Sequence, residues 1–112
     1  MELLIRSAEQ RRFPNRTVRF EGADHGSPVS MFLVDNEPGE GSRLHVHPYA
    51  ETWVVRAGEA EFTVGDRKLR ATAGDIVVGP AQTPHRFENV GTRRLKLVCI
   101  HASARIIQEM VE

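Results

Sequence analysis

The sequence predicts an all-β protein with one domain, folded as an antiparallel sandwich or barrel. Short β-compatible runs follow one another at roughly even spacing, at 18–21, 29–34, 43–47, 52–57, 60–64, 68–71, 75–78, 85–89 and 95–101. Turn-forming residues such as Pro28, Gly58, Gly65, Gly74 and Pro80 separate these runs. A chain of 112 residues has the usual size of a single domain. Many short strands with regular turns are typical of sandwiches and barrels.

Three segments follow from this pattern: an N-terminal arm over 1–17, a barrel over 18–101 and a C-terminal segment over 102–112. The start of the chain is rich in arginine, which is more typical of a solvated or interface-facing arm than of a nucleic-acid footprint. In the C-terminal segment, Ser103 is a candidate N-cap for a short helix over 103–112. Its apolar stripe would comprise Ile106, Ile107, Met110 and Val111. A strand is the alternative for the same residues.

Composition adds bounds on partners and location. Lys+Arg and Asp+Glu number 15 each, so the formal net charge is zero and gives no general attraction to nucleic acid or to an anionic membrane. No segment approaches the ~20 apolar residues of a membrane span, and the apolar start is too short for a signal peptide. We therefore expect a cytoplasmic protein. Cys99 is the single cysteine, and its apolar neighbours predict a small buried side chain rather than a reactive thiol.

Three histidines and one glutamate stand at spacings that favour a metal site. His45 and His47 are two residues apart, so their side chains share a face only on a strand. A turn at Pro48-Tyr49-Ala50 can fold a following strand back, which would turn Glu51 towards the same ion. His85, in a second Gly- and Pro-bounded segment, completes a candidate set. The alternative, that these are satisfied core histidines, is better suited to one isolated histidine than to this cluster.

The two segments resemble the consensus motifs of the cupin superfamily. The first reads G-x5-H-x-H-x3-E-x6-G from Gly39 to Gly58, and the second reads G-x5-P-x-Q-x2-H-x3-N from Gly74 to Asn89. Gln82 stands where the family usually has glycine, which affects the expected geometry of the loop before His85 but not the ligand itself. The resemblance implies a double-stranded β-helix, or jelly-roll barrel. It names no reaction, because this fold carries oxygenases, isomerases, decarboxylases and non-catalytic binders.

Strand parity predicts which side chains line the barrel, because residues two apart share a face. If the ligands point inward, then Arg43 lies at the mouth, Trp53 and Val55 lie below Glu51, and Phe87 follows His85. On the last strand, Leu95, Leu97, Cys99 and His101 have one parity. The expected cavity is apolar at depth with polar groups near one end, which is typical of a small-molecule pocket.

Three imidazoles and one carboxylate suit one divalent first-row transition metal ion and leave two octahedral positions open. A four-ligand site with open positions favours iron, manganese, nickel or copper, and zinc less. The first functional hypothesis is therefore a metal-dependent enzyme, such as a dioxygenase or isomerase, that acts on a small oxygen-bearing substrate. The alternative is a non-catalytic small-molecule-binding or sensing protein.

Two further side chains are candidates for catalysis. His101 could serve as a general base, or it could donate a hydrogen bond to one of the metal ligands. Arg43 could pair with a substrate carboxylate. The alternatives are a surface or interface role for His101 and a surface ion pair for Arg43. Apolar outward residues such as Val54, Val98 and Ile100 need cover, so we also expect a homodimer with exchanged N-terminal arms.

Overall fold

Two antiparallel β-sheets form the protein, which we describe from a computed structural model over residues 2–111. The strands are β1 (Arg11–Arg12), β2 (Val18–Phe20), β3 (Ser30–Asn36), β4 (His45–Val46), β5 (Glu51–Ala57), β6 (Glu59–Val64), β7 (Arg67–Thr72), β8 (Ile76–Gly79), β9 (His85–Asn89), β10 (Leu95–His101) and β11 (Glu109–Met110). Short 3-10 turns cover Ser7–Glu9 and Gly22–His25. The all-β prediction is confirmed. Within the described range no helix is long and apolar enough to cross a membrane.

Strands that are distant in sequence become neighbours, as in a jelly roll. One sheet has the order β1-β2-β3-β10-β5-β8 and the other has the order β11-β4-β9-β6-β7. The last long strand, β10, inserts between β3 and β5 and pairs with both over most of its length. The candidate ligands therefore reach one place from widely separated parts of the chain.

The core lies between the two sheets, and the alternation of side chains explains it. Along β10 and β9 every second residue is buried, which matches the period of a strand with one covered face. Trp53, Val55, Phe62, Leu95 and Leu97 are almost completely buried. Each such side chain contributes about 1.5–3 kcal/mol relative to full exposure. The inward parity expected for Trp53, Val55, Phe87, Leu97 and Cys99 agrees with their burial.

The first ligand strand is shorter than the sequence predicted. Instead of a strand over 43–47, only His45–Val46 is regular, and it pairs with β9 at a single position, His45 with His85. Before it, the Ser42 backbone N–H donates to the Phe87 carbonyl, while the Phe87 N–H donates to the Ser42 hydroxyl. A side chain thus replaces one bond of the ladder, and regular pairing ends there.

Of the two alternatives for 103–112, the described residues form no helix, and the strand alternative is met at Glu109–Met110. Ser103 accepts a hydrogen bond from the Arg105 N–H in a local turn, and Glu109–Met110 pairs as a strand with β4. Both backbone groups of Ile107 bind tertiary partners, the His47 ring and the Tyr49 hydroxyl. Backbone groups committed to distant side chains are not available for the i to i−4 bonds of a helix, so tertiary contacts override the apolar periodicity.

The N-terminal arm extends the larger sheet within its own chain. Arg11–Arg12 pairs with β2, and the turn that follows is closed by a hydrogen bond from the Phe13 N–H to the Thr17 carbonyl. Arg16 in this turn has a φ of 71°, in the left-handed region, and its guanidinium binds Glu40 at 3.2 Å. The arm is therefore anchored to the body of the barrel at two points.

Candidate metal centre

The candidate ligands come from both sheets. His45 lies in β4, His47 follows it directly, and His85 lies in β9, all on the five-stranded sheet. Glu51 begins β5 on the opposite sheet. The four side chains are buried, and one ligand atom from each lies within 4.8 Å of the other three. The structure thus brings together all four residues that the sequence grouped.

The turn between His47 and Glu51 acts differently from the expectation. It does not fold β5 back beside β4, since β5 pairs with β8 and β10 instead. The chain crosses from one sheet to the other at Pro48-Tyr49-Ala50, and Glu51 faces the histidines across the interior. A glutamate four residues after the second histidine reaches the histidine cluster by this crossover.

Gln82 explains why this loop position usually holds glycine. Its φ of 63° lies in the left-handed region, where a residue with a Cβ pays about 1–2 kcal/mol. In this conformation its N–H donates to the His47 carbonyl at 2.9 Å. Gln82 thus adopts the left-handed conformation that glycine would favour, and its loop is tied to the candidate ligand His47.

Backbone carbonyls fix the orientation of all three candidate ligand imidazoles. The Nδ1 atoms of His45, His47 and His85 contact the carbonyl oxygens of Arg43, Ile107 and Thr83 respectively. A carbonyl only accepts hydrogen bonds, so each Nδ1 carries the proton and each Nε2 presents a lone pair. This tautomer is the one that metal-ligating histidines use.

With each ring neutral in this tautomer, the Nε2 atoms and the Glu51 carboxylate are electron-pair donors with no ring hydrogen between them. The Nε2 atoms of His47 and His85 lie 2.9 and 3.1 Å from the same oxygen of Glu51, Oε1. Lone pairs facing a carboxylate at this distance repel unless a cation, either a proton or a metal ion, lies among them. The donor set of three imidazoles and a carboxylate therefore fits a divalent transition metal.

Charge states around the cluster agree with a cation site. Burial alone raises the pKa of the Glu51 carboxyl, but close contacts with the imidazoles of His101, His47 and His85 outweigh it and hold that pKa well below its usual range. Burial lowers the pKa of His45, a shift that the Arg43 carbonyl opposes only in part. At neutral pH the site thus holds an ionised carboxylate and a neutral His45.

His101 lies beside this cluster, on the same side as Glu51. The two residues are direct cross-strand partners on β10 and β5, and His101 Nε2 lies 3.2 Å from Glu51 Oε2. Its Nδ1 is 2.6 Å from the Tyr49 hydroxyl, and that hydroxyl accepts a hydrogen bond from the Ile107 N–H. His101 is buried within the barrel, where strand parity placed it.

A cavity of about 190 Å³ opens onto these groups. Its lining includes His45, Glu51 and His101 together with apolar side chains such as Trp53 and Phe87. The volume is below the ~300–1,000 Å³ of pockets for drug-sized ligands, so it suits a small metabolite. Arg43 also belongs to the lining and is itself largely exposed, in agreement with a place at the mouth.

Sequence reasoning missed the two chain ends as parts of this site. Phe13, Asn15 and Thr17 of the arm line the cavity on one side, and Gln108 and Met110 line it on another. The C-terminal segment also supplies the carbonyl that orients His47. No motif marks these residues, since their role depends on where the chain ends dock. Tyr49 was considered only as part of the turn after His47, and its hydrogen bond to His101 could not be inferred from spacing.

The chain belongs to the cupin family: residues 32–101 match the cupin domain family. The matched range contains all four candidate ligands and His101.

Curated relatives share this part of the chain. It is 31% identical over 81 residues to mannose-1-phosphate guanylyltransferase 2 of Escherichia coli O157:H7, an alignment that covers 71% of this chain and 17% of the relative. It is 32% identical over 62 residues to an uncharacterised protein of Methanocaldococcus jannaschii, covering 54% of this chain and 50% of that one. The chain thus spans about a fifth of the guanylyltransferase and half of the archaeal protein.

Solved structures confirm the fold. Oxalate decarboxylase of Bacillus subtilis superposes with a TM-score of 0.84 at 23% identity, covering 93% of this chain and 30% of that one. Oxalate decarboxylase of Lactobacillus farciminis gives a TM-score of 0.79 at 22% identity, covering 91% and 33%. At this identity the likeness concerns the architecture alone.

Proposed function

We propose that this cupin binds one divalent first-row transition metal ion through His45, His47, Glu51 and His85. The observation that carries the proposal is the common orientation of the three imidazoles, each with Nδ1 on a carbonyl, together with the Nε2 atoms of His47 and His85 that face Glu51. Four donors that include a carboxylate favour iron, manganese, nickel or copper over zinc. Manganese(II) centres are described for the oxalate decarboxylase of Bacillus subtilis, a structural relative.

The activity that we propose is metal-dependent catalysis of the oxygenase, isomerase or decarboxylase class on a small oxygen-bearing substrate. A bound ion of this kind polarises a coordinated oxygen as a Lewis acid. The chain itself supplies a largely apolar cavity beside the candidate ligands, which would hold a small molecule next to the ion. Arg43 at the mouth is the proposed partner for a substrate carboxylate, and His101 is the proposed polar group beside the ligands.

A second candidate is a binding or sensing barrel without catalysis. The observation that favours it comes from the guanylyltransferase relatives, in which the part similar to this chain is about a fifth of the protein. A barrel of this kind can be one domain of a longer protein whose named activity depends on residues outside the barrel. In that case the same cavity would hold a small molecule and change shape or stability on binding.

Elemental analysis of the purified full chain, followed by activity screens, tests the first candidate. We expect about one equivalent of transition metal per chain and turnover of a small phenol, diketone or keto acid, followed by oxygen uptake or by product analysis. A matched control is His25→Ala, which removes a histidine outside the cluster. Stoichiometric metal without turnover would favour the binding candidate, and a parent protein that takes up no added metal would contradict both metal-based readings.

We also propose a homodimer, through the outer face of the six-stranded sheet. Val98, Val54 and Ile76 form one outward apolar row across β10, β5 and β8, and Ile76 and Val78 on the edge strand are 65% and 53% exposed. Arm exchange is not required, since β1 already pairs with β2 in its own chain. Light scattering should give a dimer mass for the parent and for Leu3→Lys, and a monomer mass for Ile76→Lys. A monomeric parent at micromolar concentration would contradict this.

A further inference from the structure

The fourth buried histidine of the barrel differs from the other three in what holds its Nδ1 atom. His45, His47 and His85 each place Nδ1 on a backbone carbonyl, whereas His101 places it 2.6 Å from the Tyr49 hydroxyl. A carbonyl can only accept a hydrogen bond, but a phenol can donate one. The same type of side chain therefore meets opposite hydrogen-bond partners within one site.

The contacts of Tyr49 decide which way its hydroxyl points. The backbone N–H of Ile107 can only donate, so the phenol oxygen accepts from it at 3.1 Å. Of the contacts that the structure gives this hydroxyl, only His101 Nδ1 can take its proton. A tyrosine phenol carries its proton at neutral pH and can therefore donate. The tyrosine ring is held in place by stacking on His47, with ring centroids 5.0 Å apart and planes within 9°.

The opposite side of the ring agrees with this assignment. If Nδ1 accepts from Tyr49, the neutral ring carries its proton on Nε2. That atom lies 3.2 Å from Glu51 Oε2, where a proton attracts the carboxylate and a lone pair would repel it. Nε2 is also buried without a well-aligned acceptor, so its N–H has capacity for a further partner in the cavity that His101 lines.

We propose that Tyr49 is a positioning residue that fixes His101 as the Nε2–H tautomer, so that this N–H faces Glu51 Oε2 and donates its hydrogen bond to an anionic oxygen of the molecule bound in the cavity. His101 is then neither a further metal ligand nor a general base at Nε2. Glu51 is divided between two tasks, with Oε1 facing the imidazoles of His47 and His85 and Oε2 facing His101. The ligand class that follows is a small carboxylate or enolate. This inference rests on the proposed metal site for its ligand but not for its tautomer.

Nitrogen-15 NMR of the histidine rings tests the tautomer directly. The full chain, labelled on histidine and held near pH 8 without metal, should show His101 with a protonated Nε2 and a bare Nδ1. His45, His47 and His85 should show the reverse pattern once Zn²⁺ is added. In Tyr49→Phe the ratio of the two His101 tautomers should move towards Nδ1–H by about tenfold, the scale of one lost hydrogen bond. The His101→Gln spectrum assigns the signal.

A protonated Nδ1 on His101 in the parent protein would overturn the proposal, even if Tyr49→Phe failed to fold. An unchanged ratio of the two His101 tautomers in folded Tyr49→Phe would show that Tyr49 does not set the tautomer. These results do not depend on whether the protein binds transition metal.

Anion binding tests the donor role. Acetate titrated into the Co²⁺-loaded chain should bind His101→Gln, which keeps an N–H donor, within about threefold of the parent affinity. His101→Leu should bind acetate at least tenfold more weakly, as expected for a lost hydrogen bond to a charged group. Equal acetate affinity in all three proteins would overturn the donor role. A parent that fails to bind Co²⁺ would instead contradict the proposed function and leave the NMR result to judge the tautomer.

Discussion

Replacement of His47 by alanine is the sharpest test of the ligand assignment. The ring binds the Ile107 carbonyl through Nδ1 at 2.7 Å, and its Nε2 faces Glu51 Oε1 at 2.9 Å. It is also stacked on Tyr49. The substitution therefore removes one proposed metal ligand and one attachment of the C-terminal segment. These two losses are measured separately.

The loss of metal affinity follows from the number of ligands. Structural protein sites with four ligands bind zinc with about 10–16 kcal/mol, or roughly 2.5–4 kcal/mol for each ligand. At ~1.4 kcal/mol for each factor of ten, His47→Ala should weaken binding by roughly two to three orders of magnitude. Competition with a chromogenic chelator measures this. His25→Ala, outside the cluster, should keep the parent affinity.

The stability of the metal-free protein should change less. One lost hydrogen bond costs about 1 kcal/mol, and the relief of repulsion among the remaining electron-pair donors offsets part of the lost packing. We expect a net cost of about 1–2 kcal/mol in urea unfolding, with the β-sheet circular dichroism retained. A folded His47→Ala protein with the metal content and affinity of the parent would refute the assignment of His47 as a ligand.

Three further outcomes follow from the geometry. Metal affinity should fall below about pH 6, because protons compete with the ion for the histidines. The stability of the metal-free protein should also depend on pH. Burial lowers the pKa of His45, so the unfolded chain binds this proton more readily than the folded protein, and the free energy of unfolding should rise as pH rises towards 6.5. Titration calorimetry showing the same metal affinity from pH 5 to pH 8 would contradict this. Gln82→Gly should leave metal binding intact and raise the free energy of unfolding by up to ~1 kcal/mol, since the left-handed backbone there suits glycine. A lower free energy of unfolding in urea would argue against backbone strain at this position. Gly79→Ala should destabilise the protein by about 1–3 kcal/mol and weaken metal binding, because the new Cβ would lie 2.6 Å from the Trp53 ring and 3.2 Å from His85 Nδ1. Unfolding and metal titrations that match the parent would show that a small shift of β8 relieves this contact.

The barrel and its ligand set could be predicted because local rules govern them. Period-two alternation fixed the inward faces of β5, β9 and β10, and the burial of Trp53, Phe87 and Cys99 follows from it. His45 and His47 were paired by their two-residue spacing on a strand, and the resemblance of two segments to the cupin motifs added Glu51 and His85, which the structure brings to the same place.

What spacing could not predict depends on contacts between distant segments. The apolar stripe of 103–112 favoured a helix, but hydrogen bonds from His47 and to Tyr49 hold Ile107 in an extended path. The crossover at Pro48-Tyr49-Ala50 was misjudged because a turn sequence does not state which sheet the next strand joins. The partner of His101 Nδ1, and with it the tautomer, depends on a residue 52 positions away in the sequence.

The division of the ligands between two sheets gives a bound ion a second consequence. Three imidazoles on one sheet and a carboxylate on the other would make the ion a covalent-like bridge across the core, in a chain whose single cysteine cannot form an internal disulfide. An ion present at a hundred times its dissociation constant adds about 2.7 kcal/mol to the free energy of unfolding. Slow amide exchange should then spread on metal loading to β5 and β10 as well as to β4 and β9, so that the two sheets open together rather than one at a time.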